Sequence, residues 1–281
     1  MGSVAANFWR LVTGAVLLGI WAHLFGAGLG GAALKVFLVS GLVGFGVGDA
    51  AYFQALSRLG PRLTILMVQC LAAPIAAVAE WAWLGSAPTG WQMAFGAVIL
   101  AGVALALAPG PGTKIGMEKR TPAGAGGIFF GVTAAAGQGL GAVLSRKAFG
   151  IARAAGENMD SVTAAYQRIL GGLGLVGILI LWQWARERRA AAGGAPVVDR
   201  GRAWGWVLAN ATAGCVLGVS CYQWALKTAG TGIVLPIVAT APIVIIPFSY
   251  WLDGEKPSVR SVAGGVIAVA GVAGLTFFAP K

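Results

Sequence analysis

Residues Gly44 to Gly60 read GFGVGDAAYFQALSRLG, and residues Gly214 to Gly230 read GCVLGVSCYQWALKTAG. The two stretches align without a gap at a constant offset of 170 residues, Gly44 on Gly214 and Gly48 on Gly218. With 45 glycines in the chain, matching glycine pairs arise often by chance. Chance does not also align Tyr52 with Tyr222, Ala55-Leu56 with Ala225-Leu226, and Gly60 with Gly230. A long-range repeat inside an apolar chain marks a duplicated membrane unit. The four-residue glycine step puts Gly44 and Gly48 on one helix face, and Gly214 and Gly218 on another. It predicts a neighbouring backbone in close approach at each copy.

The composition points to lipid as the solvent. The 281 residues are 58% hydrophobic and only 10% charged, with a mean hydropathy of +0.80. Soluble domains carry about 25% charge, so too few polar side chains exist here to coat a water-soluble globule. In a bilayer only helices or closed barrels satisfy the backbone. Barrels need alternating polarity, whereas this chain has continuous apolar blocks of about 20 residues, the length of a spanning helix. The net charge of +11 does not read as nucleic-acid binding. Its Lys and Arg residues sit between apolar blocks, where they orient a membrane protein. Cys70, Cys215 and Cys221 all fall inside apolar blocks, against a disulfide framework or a zinc site. His23, the sole histidine, lies at the end of the first block and reads as interfacial.

The blocks predict about nine spans, near 9–26, 35–57, 63–84, 91–108, 124–148, 163–184, 203–226, 231–252 and 259–279. The first is not read as a signal peptide, because Phe8-Trp9-Arg10-Leu11 has its own echo in Tyr166-Gln167-Arg168-Ile169. Later in each half, Pro74 matches Pro242, Leu84 matches Leu252, and the run Gly96 to Ala104 matches Gly265 to Ala273. The chain therefore divides into a first repeat at 1–108 with four helices, a Pro- and Gly-rich linker at 109–122, and a second repeat at 123–281 with five.

This order of elements resembles the EamA-like members of the drug/metabolite transporter superfamily. Each half has an aromatic-x-Arg entry helix, a Tyr-x-x-Ala-Leu helix end, a proline-bearing helix and a glycine-spaced last helix. The Leu-Gly-Glu-like turn is Leu252-Asp253-Gly254-Glu255 in the second half; the first half has Leu84-Gly85-Ser86-Ala87, without the Glu. The resemblance implies an all-α polytopic membrane protein of two inverted five-helix repeats, with a small-molecule path between them. The first half opens at its second expected helix. That predicts either an upstream segment or a nine-helix protein whose gap lipid or another chain fills.

Of nine carboxylates, Asp49 alone sits deep in a span. A mid-helix Asp costs about 2.5–3.5 kcal/mol on insertion, so such a residue marks a solute or ion path, or else a structural pairing between helices. Its repeat counterpart is Val219. Glu80, flanked by Trp81 and Trp83, reads as interfacial, with a cavity mouth as the alternative. Arg168, echoed by Arg10, reads as a snorkelling structural residue that could also line the path. Gln138, Tyr52, Tyr222 and Gln223 either bond helices to one another or line a wet path, the tyrosines reading first as an aromatic belt. Pro74 and Pro242 free backbone carbonyls within their helices and suit a hinge or a static kink. No phosphate loop, metal cluster or nucleophile–base pair is present, so no enzyme and no cofactor are expected.

The sequence thus predicts a multi-pass secondary transporter of a small organic solute in the cell membrane. Proton coupling through Asp49 and a homodimer are left open, and a non-transporting scaffold is the rival reading. Orientation is ambiguous. Basic residues fall thirteen to six on alternate loops, with Arg168 in a span, and the richer set belongs in the cytoplasm. The resemblance, with ten spans, puts that set outside.

Overall fold

The computed structural model describes residues 3–107, 124–190, 200–241, 243 and 259–277. Every regular element among them is helical. α1 is Ser3–Phe25. α2 is one rod, Leu34–Leu59, whose middle, Leu42–Gly48, is π-helical. α3 is Pro61–Leu84, α4 Gly90–Leu107, α5 Gly124–Ala154 and α6 Ser161–Ala190. α7 runs Arg200–Asn210, a second π segment Ala211–Gly218, and Val219–Thr228. α8 is Thr231–Val238 and α9 Val259–Phe277.

Six of these are long and apolar enough to cross a membrane: Asn7–Phe25, Leu34–Leu59, Met67–Leu84, Ala125–Ala154, Ser161–Trp182 and Trp204–Thr228. Two shorter apolar stretches, Gly90–Ala106 and Val262–Leu275, accompany them. The span expected over 231–252 is described only in its first part, and Pro242 lies outside the described residues.

Local chemistry sets the ends. Asp160 precedes α6 and accepts from the backbone N–H groups of Val162 (3.0 Å) and Thr163 (2.8 Å), the usual way to satisfy orphan donors at a helix start. Gly85 closes α3 in the left-handed region at φ 68°, which costs a residue without Cβ nothing.

The chain divides into two compact units that cut across the sequence halves. The first holds Met1–Phe53 and Leu140–Thr228; the second holds Gln54–Gly139 and Ala229–Lys281.

In the first unit α1 packs on α6. The π segment of α2 packs on α6, and the π segment of α7 packs on α1. The repeat is visible atom by atom. A Cβ at Gly172 of α6 would stand 2.4 Å from Phe45 Cβ, and one at Gly14 of α1 would stand 2.7 Å from Cys215 Cβ. Gly14 and Gly172 are repeat partners, as are Phe45 and Cys215, so one contact is made twice. Leu11, Ala15, Leu18 and Ala22 of α1 meet Ala165, Tyr166, Ile169 and Val176 of α6 in one buried cluster. A second cluster joins Ala33 and Phe37 to Ala148, Phe149 and Ala152 of α5. Beside it the Ser40 hydroxyl donates to the Gly141 carbonyl at 2.6 Å.

The glycine repeat does not act as its spacing predicts. The closest crossing in α2 lies nearer its start, at Gly41, where a Cβ would fall 1.7 Å from the Arg168 carbonyl oxygen. Gly44 does lie near α5, its Cα 3.3 Å from the Cβ position of Gly141. In the second copy no other described helix comes within 4 Å of a Cβ at Gly214 or Gly218. The reason is that both repeats end their π segments here, at Gly48 and Gly218. A π segment shifts the side chains after it off the α-helical face count.

In the second unit α4 packs on α9. A Cβ at Gly102 would lie 2.7 Å from the Gly264 carbonyl oxygen, and one at Gly264 2.5 Å from that of Gly102. Ile99, Val103, Ala268 and Leu275 are buried around this crossing.

Candidate functional site

The first unit gathers most of the polar side chains that the spans carry. Asp49 is the residue directly after the π segment of α2. Its Oδ2 accepts from Arg10 Nη2 of α1 at 2.6 Å, and the same guanidinium nitrogen donates to Asn7 Oδ1 at 2.8 Å. Asn7 is buried, while the Arg10 and Asp49 side chains are 24% and 26% exposed. Tyr52 follows one turn after Asp49 on the same helix. The pairing of Asp49 with Arg10 is the between-helix partnership that the sequence left as one of two alternatives.

Arg168 does not snorkel. It is 3% exposed, with its guanidinium carbon 5.1 Å from the Phe45 ring centre and 6.0 Å from that of Tyr222. Gly141 leaves it room, since a Cβ there would stand 3.3 Å from Arg168 Nη2. Cation–π contacts of this kind stabilise a desolvated guanidinium by about 2 kcal/mol, but they supply no hydrogen-bond acceptor. Among the described residues Arg168 Nε and Nη1 have no hydrogen-bond partner, nor do the Tyr222 hydroxyl, the Ser220 hydroxyl, or either amide atom of Gln223. Tyr222 is therefore no belt residue: its hydroxyl is buried beside α6.

The other expected site residues lie in the second unit. Gln138 Nε2 donates to Gln69 Oε1 at 3.3 Å, a bond between α5 and α3. Glu80 is not interfacial. It is 4% exposed, and its Oε2 accepts from the Thr231 backbone N–H at 2.8 Å and from the Thr231 hydroxyl. It thus places negative charge at the positive N-terminus of α8. Pro74 is exposed inside a helix that runs on through it. Residues the sequence reading missed are Asn7, Phe45 and Thr231. Thr231 carried a faint signal, a hydroxyl residue directly after the Gly230 that closes the repeat.

A duplicated helical unit is what the family comparison detects. The model of the EamA-like transporter family matches residues 1–108 and 125–277. The chain belongs to that family. EamA-like proteins form part of the drug/metabolite transporter superfamily, so this is a multi-pass membrane protein of transporter type. No curated protein matches the chain. Among solved structures, a crystal structure of a protein is 18% identical over 99% of this chain and 88% of its own, with a TM-score of 0.72. At that identity the likeness shows the fold alone.

Proposed function

We propose that this EamA-like protein is a secondary transporter that moves a small organic solute across the cell membrane, using the polar cluster of its first unit as the solute site. The observation that carries this reading is the grouping of Arg10, Asp49, Arg168 and Tyr222 on α1, α2, α6 and α7. Ionisable groups within spanning helices are costly and mark substrate or ion paths. Helices of both repeats contribute, in keeping with transporters whose repeats move against each other around a central site. Asp49 would couple transport to protons: the ion pair with Arg10 opens, Asp49 takes a proton, and Arg10 is released. In this reading Gln138, Gln223, Tyr52 and Glu80 support the helices that move, and Pro74 and Pro242 serve as hinges.

The test compares the medium of cells with and without the gene by untargeted metabolite profiling. A class of small organic solutes is expected to accumulate outside or inside only in expressing cells, and collapsing the proton gradient should erase the difference. Identical profiles with the protein demonstrably in the membrane would overturn the transport reading. A difference that survives loss of the gradient would remove proton coupling alone.

A further inference from the structure

The repeat places an arginine twice and an aspartate once. Arg10 and Arg168 are counterparts, as are Tyr52 and Tyr222, but the position of Asp49 is occupied by Val219 in the second half. Arg10 has its carboxylate at 2.6 Å. Arg168 has aromatic rings, glycine clearance, and two nitrogens without an acceptor among the described residues. Asp49 lies within electrostatic reach of both arginines, yet among the described residues this one carboxylate leaves the cluster with one positive charge in excess. An uncompensated guanidinium in a desolvated site is expensive, and a carboxylate is the acceptor whose shape and charge suit it best.

We infer that Arg168 is the anion subsite of the transporter, and that the solute carries a carboxylate, which supplies the acceptor that the second half lacks because Val219 stands where the first half has Asp49. The Tyr222 hydroxyl, also without a partner among the described residues, is a further donor on the facing helix. The rings of Phe45 and Tyr222 suit a carboxylate attached to an apolar body. Cationic amines and neutral drug-like compounds are poor solutes on this account. The inference rests on the transport reading for its biological meaning, but it is tested by binding.

The experiment is thermal unfolding of the purified full-length protein in detergent with four probes. L-phenylalanine and 3-phenylpropanoate carry a carboxylate; L-phenylalaninamide and phenethylamine do not. Both carboxylates are expected to raise Tm by about 2 °C or more at high millimolar concentration, and the other two to leave it unchanged. Arg168→Gln removes the anion subsite and should abolish the rise. Val219→Asp fills it from within. That variant should unfold at a higher temperature than the parent without ligand, and should no longer respond to either carboxylate. A merely structural Arg168 would leave the carboxylate response intact in Val219→Asp. That result overturns the inference, as does a response to the amines or to none of the probes. Profiling of the medium reads transport separately, so an intact solute difference with no carboxylate response leaves a transporter without this subsite.

Discussion

Arg10 of α1 and Asp49 of α2 form an ion pair at 2.6 Å that joins two helices of the first repeat. Replacing Asp49 by Asn keeps the size of the side chain and removes the charge. The protein should still insert in the membrane and lose about 1–3 kcal/mol of stability. Solute movement, or its dependence on pH, should disappear. Flux in reconstituted vesicles at two pH values measures this; full and equally pH-sensitive flux by Asp49→Asn would remove the role given to Asp49.

Glu80 and Thr231 make the corresponding structural claim in the second unit. Thr231→Val deletes the hydroxyl donor and keeps the backbone N–H, so the expected loss is about 1 kcal/mol. Glu80→Ala deletes the acceptor for both and should cost more, about 1–3 kcal/mol. The double variant should cost clearly less than the sum of the two. Chemical unfolding of the three variants is the measurement, and strict additivity would show that the two residues do not act together.

Gly41 and Gly214 should differ in their tolerance of a methyl group. Gly41→Ala drives a Cβ into the Arg168 carbonyl oxygen, and no rotamer change relieves a clash with backbone. Overpacking of this kind costs about 1–3 kcal/mol or more. Gly214→Ala meets only its own helix and should be neutral or slightly stabilising, since alanine is the better helix former. Expression and Tm of the pair decide; equal damage at both positions would contradict the packing described.

Membrane orientation is open to a direct test. The basic cluster Arg186, Arg188, Arg189, Arg200 and Arg202 is expected in the cytoplasm under the positive-inside rule. A cysteine introduced at Ala192 in a background without Cys70, Cys215 and Cys221 should then resist an impermeant reagent applied from outside. Labelling would reverse the orientation.

The fold was legible because its signals are long. Apolar blocks of span length and a repeat at constant offset survive any uncertainty about individual residues. The site was less so. Asp49 stood out since a charge deep in a span is rare, and the absence of its echo at Val219 was already written. Its partner was not: nothing in the spacing of Arg10 says that α1 turns this residue toward α2. Glu80 was misread because its tryptophan neighbours favour an interface, while its bond to Thr231 depends on a contact 151 residues away in sequence. The glycine spacing at 214 and 218 misled because it assumes α-helical geometry, and this segment is π-helical.

The first unit joins two segments far apart in the chain, Met1–Phe53 and Leu140–Thr228, and this imposes a waiting time during synthesis. Asp49 follows Arg10 by 39 residues, so their pair can close about 2–8 s after Arg10 is made, at roughly 5–20 residues per second. His23 of α1 has its partner in Tyr166, 143 residues later, an interval of about 7–30 s at the same rate. Until α6 arrives, lipid is what covers Leu11, Ala15, Leu18 and Ala22. The nascent first repeat therefore spends seconds in the bilayer with its interior face outward, exposed to any other helix that reaches it first.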